Sequence, residues 1–210
     1  MPRRAPTAVR TMLIERAAAM LGRHEPVSLR SVVAGTGVST MAVYTHFDGM
    51  PGLWRAVRQE GFARLEEQIA AVGITDDAVR DLTALGVACT ENALSAPDLY
   101  RVMFDAATGS EDATATATTS AAATDETFDA LVDAAARARA AGRFRADIDP
   151  ARLALRWRAA GHGLTMLVLG GVITASTARA EAETVATALF VDAGDDPDRC
   201  RRSVAAGWAD

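Results

Sequence analysis

The 210-residue chain contains no lysine, so its 22 basic side chains are all arginines. It has only two cysteines, Cys89 and Cys200, which lie far apart and form no Cys-x-x-Cys pair. A disulfide scaffold, a thiolate metal site and a dithiol redox couple are therefore not indicated, and we expect a reducing, cytoplasmic environment.

Long uncharged runs are also scarce. The longest covers residues 159–178 and contains His162, four glycines and several hydroxyl side chains. We interpret it as a buried helix and turn rather than a membrane span. Glu15 and Arg16 interrupt the apolar stretch near the N-terminus, so we expect neither a secretory signal nor a membrane anchor.

The residues that are abundant favour helices. Half of the chain is hydrophobic and 23% is charged, which is typical of a folded globular protein. The 46 alanines greatly outnumber the 16 glycines and 7 prolines, and alanine loses no side-chain entropy in a helix. The composition predicts an all-α fold.

Charge is distributed unevenly along the chain. Residues 1–58 carry eight arginines against three carboxylates, whereas the whole chain has a net charge of −5. A basic N-terminal segment followed by an acidic remainder is typical of a protein whose N-terminal segment binds a polyanion. A chance fluctuation on a solvated surface is the alternative.

The basic part has the pattern of three helices. Apolar residues recur every three or four positions over residues 7–21, and Ser28 is a predicted N-cap for a second helix that Gly35 and Gly37 end. A third helix is predicted from Thr40 to Phe47, with Ser39 as its N-cap. Two short helices joined by a glycine turn indicate a helix-turn-helix, so we predict an N-terminal three-helix domain at residues 1–50.

The remaining residues, 51–210, are predicted to form a helical bundle. Pro51 fits the first turn of a linking helix at residues 51–72. Further helices are predicted at residues 75–95, 97–108, 125–141, 150–170, 177–193 and 197–208. The Thr/Ala/Ser-rich tract at residues 109–124 has few large apolar groups, so we expect a mobile loop there.

Catalytic and metal-binding constellations are sparse. The three histidines, His24, His46 and His162, show no His-x-x-x-His spacing, and no Walker loop or Gly-x-Ser-x-Gly motif occurs. We therefore predict no enzyme activity, no metal and no cofactor. The third predicted helix is more informative, because its polar side carries Thr40, Tyr44, Thr45 and His46, which suit base edges or phosphates in a major groove. A helical hairpin that merely caps a bundle remains the alternative.

The stretch VSLRSVVAGTGVSTMAVYTHFDGMPGLWRAV at residues 27–57 closely resembles the DNA-binding domain of the tetracycline-repressor (TetR) family. The matching features are the turn Gly37-Val38-Ser39 and the ending Tyr44-x-His46-Phe47. The resemblance implies a homodimeric, all-α transcription regulator, usually a repressor that a small ligand releases from DNA. It places a basic arm at Arg3 and Arg4, and it implies these DNA-facing residues: Arg30, Ser39, Thr40, Met41, Tyr44, Thr45 and His46. Met50 occupies the position at which many members of the family have a lysine that binds a DNA phosphate.

The segments PDLYRVMF (residues 97–104), AAGRFRADIDPARLALRW (140–157) and AAGHGL (159–164) resemble a ligand-binding domain subtype with a tryptophan and a His-Gly pair on its eighth helix. Here the tryptophan precedes the histidine by five residues, where the subtype has four. The expected ligand-binding residues are apolar or aromatic groups with a few polar tips: Tyr100, Met103, Phe104, Trp157, His162 and Met166. Each of them is also compatible with ordinary core packing.

In the family, the last two long helices of each subunit pair into a four-helix dimer interface. The sequence offers a stripe for this role, formed by Leu153, Trp157, Ala160, Leu164 and Val168, and a second face at Val185, Leu189 and Phe190. We therefore expect a ligand-responsive regulator of double-stranded DNA that binds a pseudo-palindromic operator and a small apolar effector. The alternative is a ligand-binding helical dimer of the same fold that has lost operator binding.

Overall fold

A computed structural model describes residues 6–23, 25–104 and 113–209, with side chains from residue 7 and, in the last range, from residue 126. These residues form helices and contain no strand, so the predicted all-α fold is confirmed. In chain order the described helices are α1 (Pro6–Gly22), α2 (Leu29–Val33), α3 (Met41–Phe47), α4 (Met50–Ala71), α5 (Ala78–Ser95), α6 (Pro97–Phe104), α7 (Ala113–Ala140), α8 (Pro150–Leu169), α9 (Ala175–Asp192) and α10 (Pro197–Gly207).

The chain divides into two compact units. Unit 1 combines Met1–Arg64 with Ala96–Ala123, and unit 2 combines Leu65–Ser95 with Thr124–Asp210. The division by contacts therefore does not follow the boundary that we predicted at residue 50, because about the first two thirds of α4 (residues 50–64), all of α6 and the start of α7 (residues 113–123) belong to unit 1. The functional division at residue 50 stays a prediction.

Unit 1 is built around one apolar core that α1 to α4 and α6 share. Leu13 and Ile14 of α1, Val43 of α3 and Leu53 of α4 are at most 1% exposed in it. The predicted three-helix pattern is present, since α1, α2 and α3 all contribute to this core.

Unit 2 has its own core, to which α5, α7, α8, α9 and α10 contribute. Leu82, Leu131, Trp157 and Phe190 are its large members, each at most 2% exposed. Small side chains fill the spaces between them, for example Ala135 and Ala186.

Polar caps fix where the later helices begin. The Asp149 carboxylate accepts hydrogen bonds from the N–H groups of Ala151 and Arg152 at 2.9 and 3.4 Å, and Pro150 follows it. Asp196 caps α10 in the same way through the Arg199 N–H, at 2.8 Å, ahead of Pro197. Aspartate followed by proline matches a helix N-terminus, where the missing proline N–H costs nothing.

The predicted loop at residues 109–124 is wrong over residues 113–124, because α7 already begins at Ala113. The prediction gave weight to the lack of large apolar side chains. Alanine, however, is the strongest helix former, and extending an existing helix needs no new nucleus. Residues 109–112, and residues 105–108 of the helix predicted at 97–108, lie outside the described part of the chain.

Two smaller predictions also need correction. α3 has Thr40 rather than Ser39 as its N-cap, and the Thr40 side chain makes no capping hydrogen bond. The part of the α8 stripe that we expected at a dimer interface faces the core of unit 2 instead, since Leu153 and Trp157 are 3% and 2% exposed. Phe190 of the second face is likewise fully buried in that core. An apolar stripe alone does not reveal whether it meets its own chain or a partner.

Candidate nucleic-acid interface

The short helix α3 presents two different faces. Val43 and Phe47, which are 0% and 7% exposed, anchor it in the core of unit 1. Met41 and Tyr44 point outward with exposures of 64% and 49%, and Thr45 is exposed beside them. Residues three and four apart share one side of a helix, so these three form a single outer surface. Two large exposed side chains on so small a helix are typical of a contact surface.

The other predicted DNA-facing residues lie around this surface or on the preceding helix. Ser39 and Arg30 are exposed, whereas Thr40 and His46 are half-buried. The His46 ring leans against Phe47, with 6.1 Å between the ring centroids. The Thr45 hydroxyl donates to the Met41 carbonyl at 2.9 Å, which leaves its oxygen free to accept a further hydrogen bond.

A tight connection sets the orientation of α3 relative to α4. Asp48 adopts the left-handed conformation at φ 58°, and Gly49 follows at φ 98°. A Cβ atom on Gly52 would lie 1.6 Å from the Phe47 carbonyl oxygen, so the two helices meet where only glycine fits. The predicted helices at residues 40–47 and 51–72 leave a break here, but no pattern in the sequence reveals this steric requirement.

The supporting helix α2 is held by its own hydrogen bonds and by α1. Ser28 caps it as predicted, because the Ser31 N–H donates to the Ser28 hydroxyl at 3.2 Å. The Ser28 N–H donates in return to the Ser31 hydroxyl at 2.8 Å, which completes a capping box that sequence reasoning missed. The Arg16 guanidinium donates to the Ser31 carbonyl at 3.3 Å, so this arginine links α1 to α2.

Arg10 of α1 provides positive charge beside α3, at the Phe47 ring. Its guanidinium carbon lies 5.6 Å from the centre of the Phe47 ring, within the range of a cation–π contact. Its side chain is exposed, and we did not select it as a candidate from the sequence. The predicted basic arm at Arg3 and Arg4 lies outside the described residues.

The expected ligand-binding residues fall into two groups. In unit 1, Tyr100 and Met103 are buried at 4% and 3% exposure, and the Tyr100 and Phe104 rings are 4.8 Å apart. Phe62 joins them with its ring 6.2 Å from that of Phe104. The structure therefore brings Tyr100 and Phe104 together with Phe62 in a small aromatic cluster, and Met103 is buried on the same helix as Tyr100. No local pattern in the sequence indicates that Phe62 belongs to this cluster.

The three ligand-binding candidates of unit 2 are not gathered at one place. Trp157 is buried, and its indole N–H donates to the Leu82 carbonyl at 3.0 Å. His162 is half-buried, and Met166 is 41% exposed. Burial, and then the positive charge of Arg158, lower the pKa of His162, so its imidazole is neutral at pH 7. A cavity of about 200 Å³ in this unit is lined by Trp157 but by neither His162 nor Met166.

A comparison with known protein families shows to which family the chain belongs. Residues 82–204 match the family described as tetracyclin repressor-like, C-terminal domain. The chain belongs to the TetR family. Members of this family are ligand-responsive transcription regulators rather than enzymes; they bind DNA, typically as dimers, and they bind small molecules. A search of curated proteins found no significant match.

Solved structures, two of which are described as TetR-family proteins, share the fold. A regulatory protein of this family from Rhodococcus RHA1 is 21% identical, with a TM-score of 0.68 over 93% of this chain and all of the other. A TetR transcription regulator from Haloarcula marismortui is 18% identical, with a TM-score of 0.71 over 87% of this chain and 98% of the other. A complex of SmeT with triclosan is 16% identical, with a TM-score of 0.64 over 88% and 91% of the two chains.

The described residues of this TetR-family chain offer little for metal or thiolate chemistry. They contain no group of three His, Cys, Asp or Glu side chains able to hold a metal ion. Burial raises the pKa of Cys89 to about 11. Burial, reinforced by the charge of Asp195, raises the pKa of Cys200 to about 12. Both thiols therefore stay protonated near neutral pH. None of the described helices is long and apolar enough to cross a membrane.

Sequence reasoning did not find the buried ionic network of unit 2. Arg143 is 7% exposed, and its Nε and Nη2 atoms donate to the two carboxylate oxygens of Asp195 at 2.7 and 2.6 Å. Its Nη1 donates to Asp77 at 2.8 Å, and Ser203 bonds to both Arg143 and Asp77. Because these partners are 52 to 126 positions apart in the sequence, no local pattern reveals the network.

Proposed function

We propose that this TetR-family regulator is a repressor that a small apolar molecule releases from a pseudo-palindromic operator. The observation that carries the proposal is the outer surface of α3, formed by Met41, Tyr44 and Thr45 on a helix anchored by Val43 and Phe47. A short helix anchored in this way suits the major groove, where side chains reach the base edges.

The proposed contacts differ in chemistry. The Tyr44 phenol and the Thr45 oxygen are suited to base edges or phosphates, and the Met41 side chain is suited to apolar contact with a thymine methyl group. Ser39, Thr40, His46 and Arg30 are proposed to contact the backbone around this surface and thereby set the register. Arg10 is added to this set because its guanidinium lies beside Phe47.

Mobility shift on a duplex selected by the wild-type protein from random sequence tests the DNA contact. We expect Tyr44→Ala to weaken binding at least tenfold, a loss within the about 1–3 kcal/mol of a good base contact. Ile74→Ala is the control, because Ile74 is 80% exposed and lies in unit 2. Unchanged affinity of Tyr44→Ala would contradict the assignment of α3.

The same experiment separates the repressor from its alternative. A true DNA-binding protein enriches one sequence, and the logarithm of its affinity falls steeply with the logarithm of the salt concentration. If the wild type enriches no duplex and shows no salt dependence, the protein is a ligand-binding dimer that has lost operator binding.

We infer that the dimer forms through α8 and α9, with the outer face of α8 at the centre. Leu155, Met166 and Leu167 on this face are 58%, 41% and 42% exposed. The small residues Ala159 and Gly163 are exposed between them and permit close approach of a second helix. A dimer of this kind is proposed to bind a pseudo-palindrome whose half-sites lie one helical turn of DNA, about 34–36 Å, apart.

Release by an effector requires that the ligand bind more tightly to a form with a different α3 spacing. The triclosan complex of SmeT supports a small aromatic ligand for a protein of this fold. The proposed ligand-contacting residues are, taken separately, Tyr100, Met103 and Phe104 in unit 1 and Trp157, His162 and Met166 in unit 2. Because the coupling is reciprocal, operator DNA must weaken effector binding by the same factor by which effector weakens operator binding.

A further inference from the structure

Unit 2 contains a cavity of about 200 Å³ between α5, α8, α9 and the end of the chain. Gly86 and Leu94 of α5, Gly161 and Leu164 of α8, and the indoles of Trp157 and Trp208 line it. The lining is thus mainly apolar, as ligand sites for small molecules are.

The two indoles differ in their hydrogen bonding. The N–H of Trp157 donates to the Leu82 carbonyl at 3.0 Å, so its capacity is used within the protein. The Nε1 atom of Trp208 is buried and has no hydrogen-bond partner among the described residues. Buried N–H groups nearly always have a partner, so an indole N–H left over beside a cavity indicates a donor for a ligand.

The two glycines of the lining have different roles. A Cβ atom on Gly86 would lie 2.5 Å from Trp157 Nε1, so this glycine makes room for the Trp157 ring. A Cβ atom on Gly161 would meet nothing within 4 Å outside its own helix. The space next to Gly161 is therefore open, and a larger side chain at this position can occupy it.

The size and charge of the site restrict its occupant. An apolar cavity of about 150 Å³ in another protein binds benzene, so about 200 Å³ accommodates one ring with a short substituent. Arg179 at the edge is already engaged, since its Nε lies 3.0 Å from Glu183 and its guanidinium carbon lies 5.1 Å from the centre of the Trp208 ring. A neutral ligand fits this environment better than an anion.

We propose that the cavity binds a neutral, single-ring molecule whose one hydrogen-bond acceptor accepts a hydrogen bond from the indole N–H of Trp208. Trp157 forms a fixed apolar wall of the site, and Trp208 supplies its polar contact. The use of this site for effector control rests on the proposed function, whereas binding itself does not.

Acetophenone and α-methylstyrene form a matched pair of probes, because they have the same shape and only acetophenone has an acceptor oxygen. Titration calorimetry on the full-length protein should show saturable binding of acetophenone. Trp208→Phe should weaken acetophenone binding about five- to tenfold, the effect of one neutral hydrogen bond, and leave α-methylstyrene binding unchanged. No acetophenone binding by the wild type, or equal effects on both probes, overturns the proposal.

Two-dimensional ¹H–¹⁵N NMR spectra identify the contact directly, because they contain the indole N–H signals. The chain has three tryptophans, and the indole N–H signal that Trp208→Phe removes belongs to Trp208. This signal should shift downfield with acetophenone but not with α-methylstyrene. A shift confined to the other indoles contradicts the assignment of the donor.

Gly161→Leu tests the place of binding without removing a contact. Leucine is a stronger helix former than glycine, so this variant should remain folded, as circular dichroism will check. It should abolish acetophenone binding, while Ala151→Leu, at an exposed position of the same helix outside the cavity, should retain it. Retained binding in folded Gly161→Leu overturns the proposal. If the wild-type protein binds acetophenone but no operator, only the proposed function is contradicted.

Discussion

Asp81 shows how single residues stabilise unit 2. It is 1% exposed and accepts hydrogen bonds from the N–H and hydroxyl of Thr75 at 2.9 and 2.6 Å, from Arg137 at 2.9 Å and from Arg80 at 3.1 Å. Burial alone would raise its pKa, but these donors together hold the pKa of Asp81 below its usual value. The pKa of Asp77 is lowered in the same way, because hydrogen bonds from Ser203, the Arg80 N–H and Arg143 outweigh the effect of burial.

The lowered pKa of Asp81 gives stability a defined dependence on pH. The stabilisation is fully present above the unfolded-state pKa of about 3.9, and it is lost as the pH falls through the lower folded-state pKa. Asp81→Asn should therefore cost about 2–4 kcal/mol at pH 7 and clearly less at pH 3, measured by urea unfolding.

Asp76→Asn is the matched control for this prediction. Asp76 is exposed in the loop that precedes α5, so its substitution should change stability by less than about 0.5 kcal/mol at either pH. A cost of Asp81→Asn that does not shrink between pH 7 and pH 3 would refute the ionic origin of the stabilisation.

At the scale of elements, the junction of α3 and α4 decides where the outer surface of α3 points. The junction has three unusual residues, namely left-handed Asp48, Gly49 at φ 98° and Gly52 against the Phe47 carbonyl. Neither helix can move past the other without losing the burial of Phe47 and Leu53 in the core of unit 1. The orientation of α3 is therefore a property of this junction as much as of α3 itself.

Gly52→Ala should separate α3 from α4. The new Cβ would lie 1.6 Å from a backbone oxygen, which cannot move without shifting a helix. We expect a loss of at least about 2 kcal/mol in thermal or urea unfolding, the range of overpacked core sites, together with weaker operator binding. Gly161→Ala is the comparison, because its Cβ meets nothing and alanine favours the helix by about 1 kcal/mol. Equal stability of the two variants would show that the junction is not tight.

At the scale of the whole molecule, the outer face of α8 is an apolar patch that the described residues of the chain leave exposed. Leu155, Met166 and Leu167 remain exposed while Leu153, Ala154 and Trp157 of the same helix are buried. The exposed side of α8 also carries Arg152 and Arg156, so its apolar part is a patch at Leu155, Met166 and Leu167, which a second copy of the chain would cover by symmetry.

Met166→Asp should convert the dimer to a monomer or weaken it by more than tenfold, because a charge in an apolar interface loses its hydration. Light scattering with size-exclusion chromatography measures the mass, which should fall by half. Ile74→Asp introduces the same charge at an apolar position that is 80% exposed in a loop, and it should leave the mass unchanged. A dimeric Met166→Asp protein at micromolar concentration would reject α8 as the interface.

Local patterns in the sequence determined most of the helices, though not the start of α7, and the buried side of the DNA-facing helix. Ser28, Asp149–Pro150 and Asp196–Pro197 mark helix starts through hydrogen bonds to neighbouring residues, and Val43 and Phe47 face inward because they are four residues apart. The resemblance over residues 27–57 supplied the family. These features involve residues close together in the chain, so the sequence contains all that is needed to predict them.

Only the tertiary structure decided which apolar stripe of α8 is core and which is outer face, how Arg143 is paired with Asp195, and that Trp208 meets the cavity beside Trp157. Each depends on groups that lie far apart in the sequence, and many different long-range pairings satisfy the same local pattern. The free energy of close packing selects one of them, and that selection exists only once the helices have been brought together.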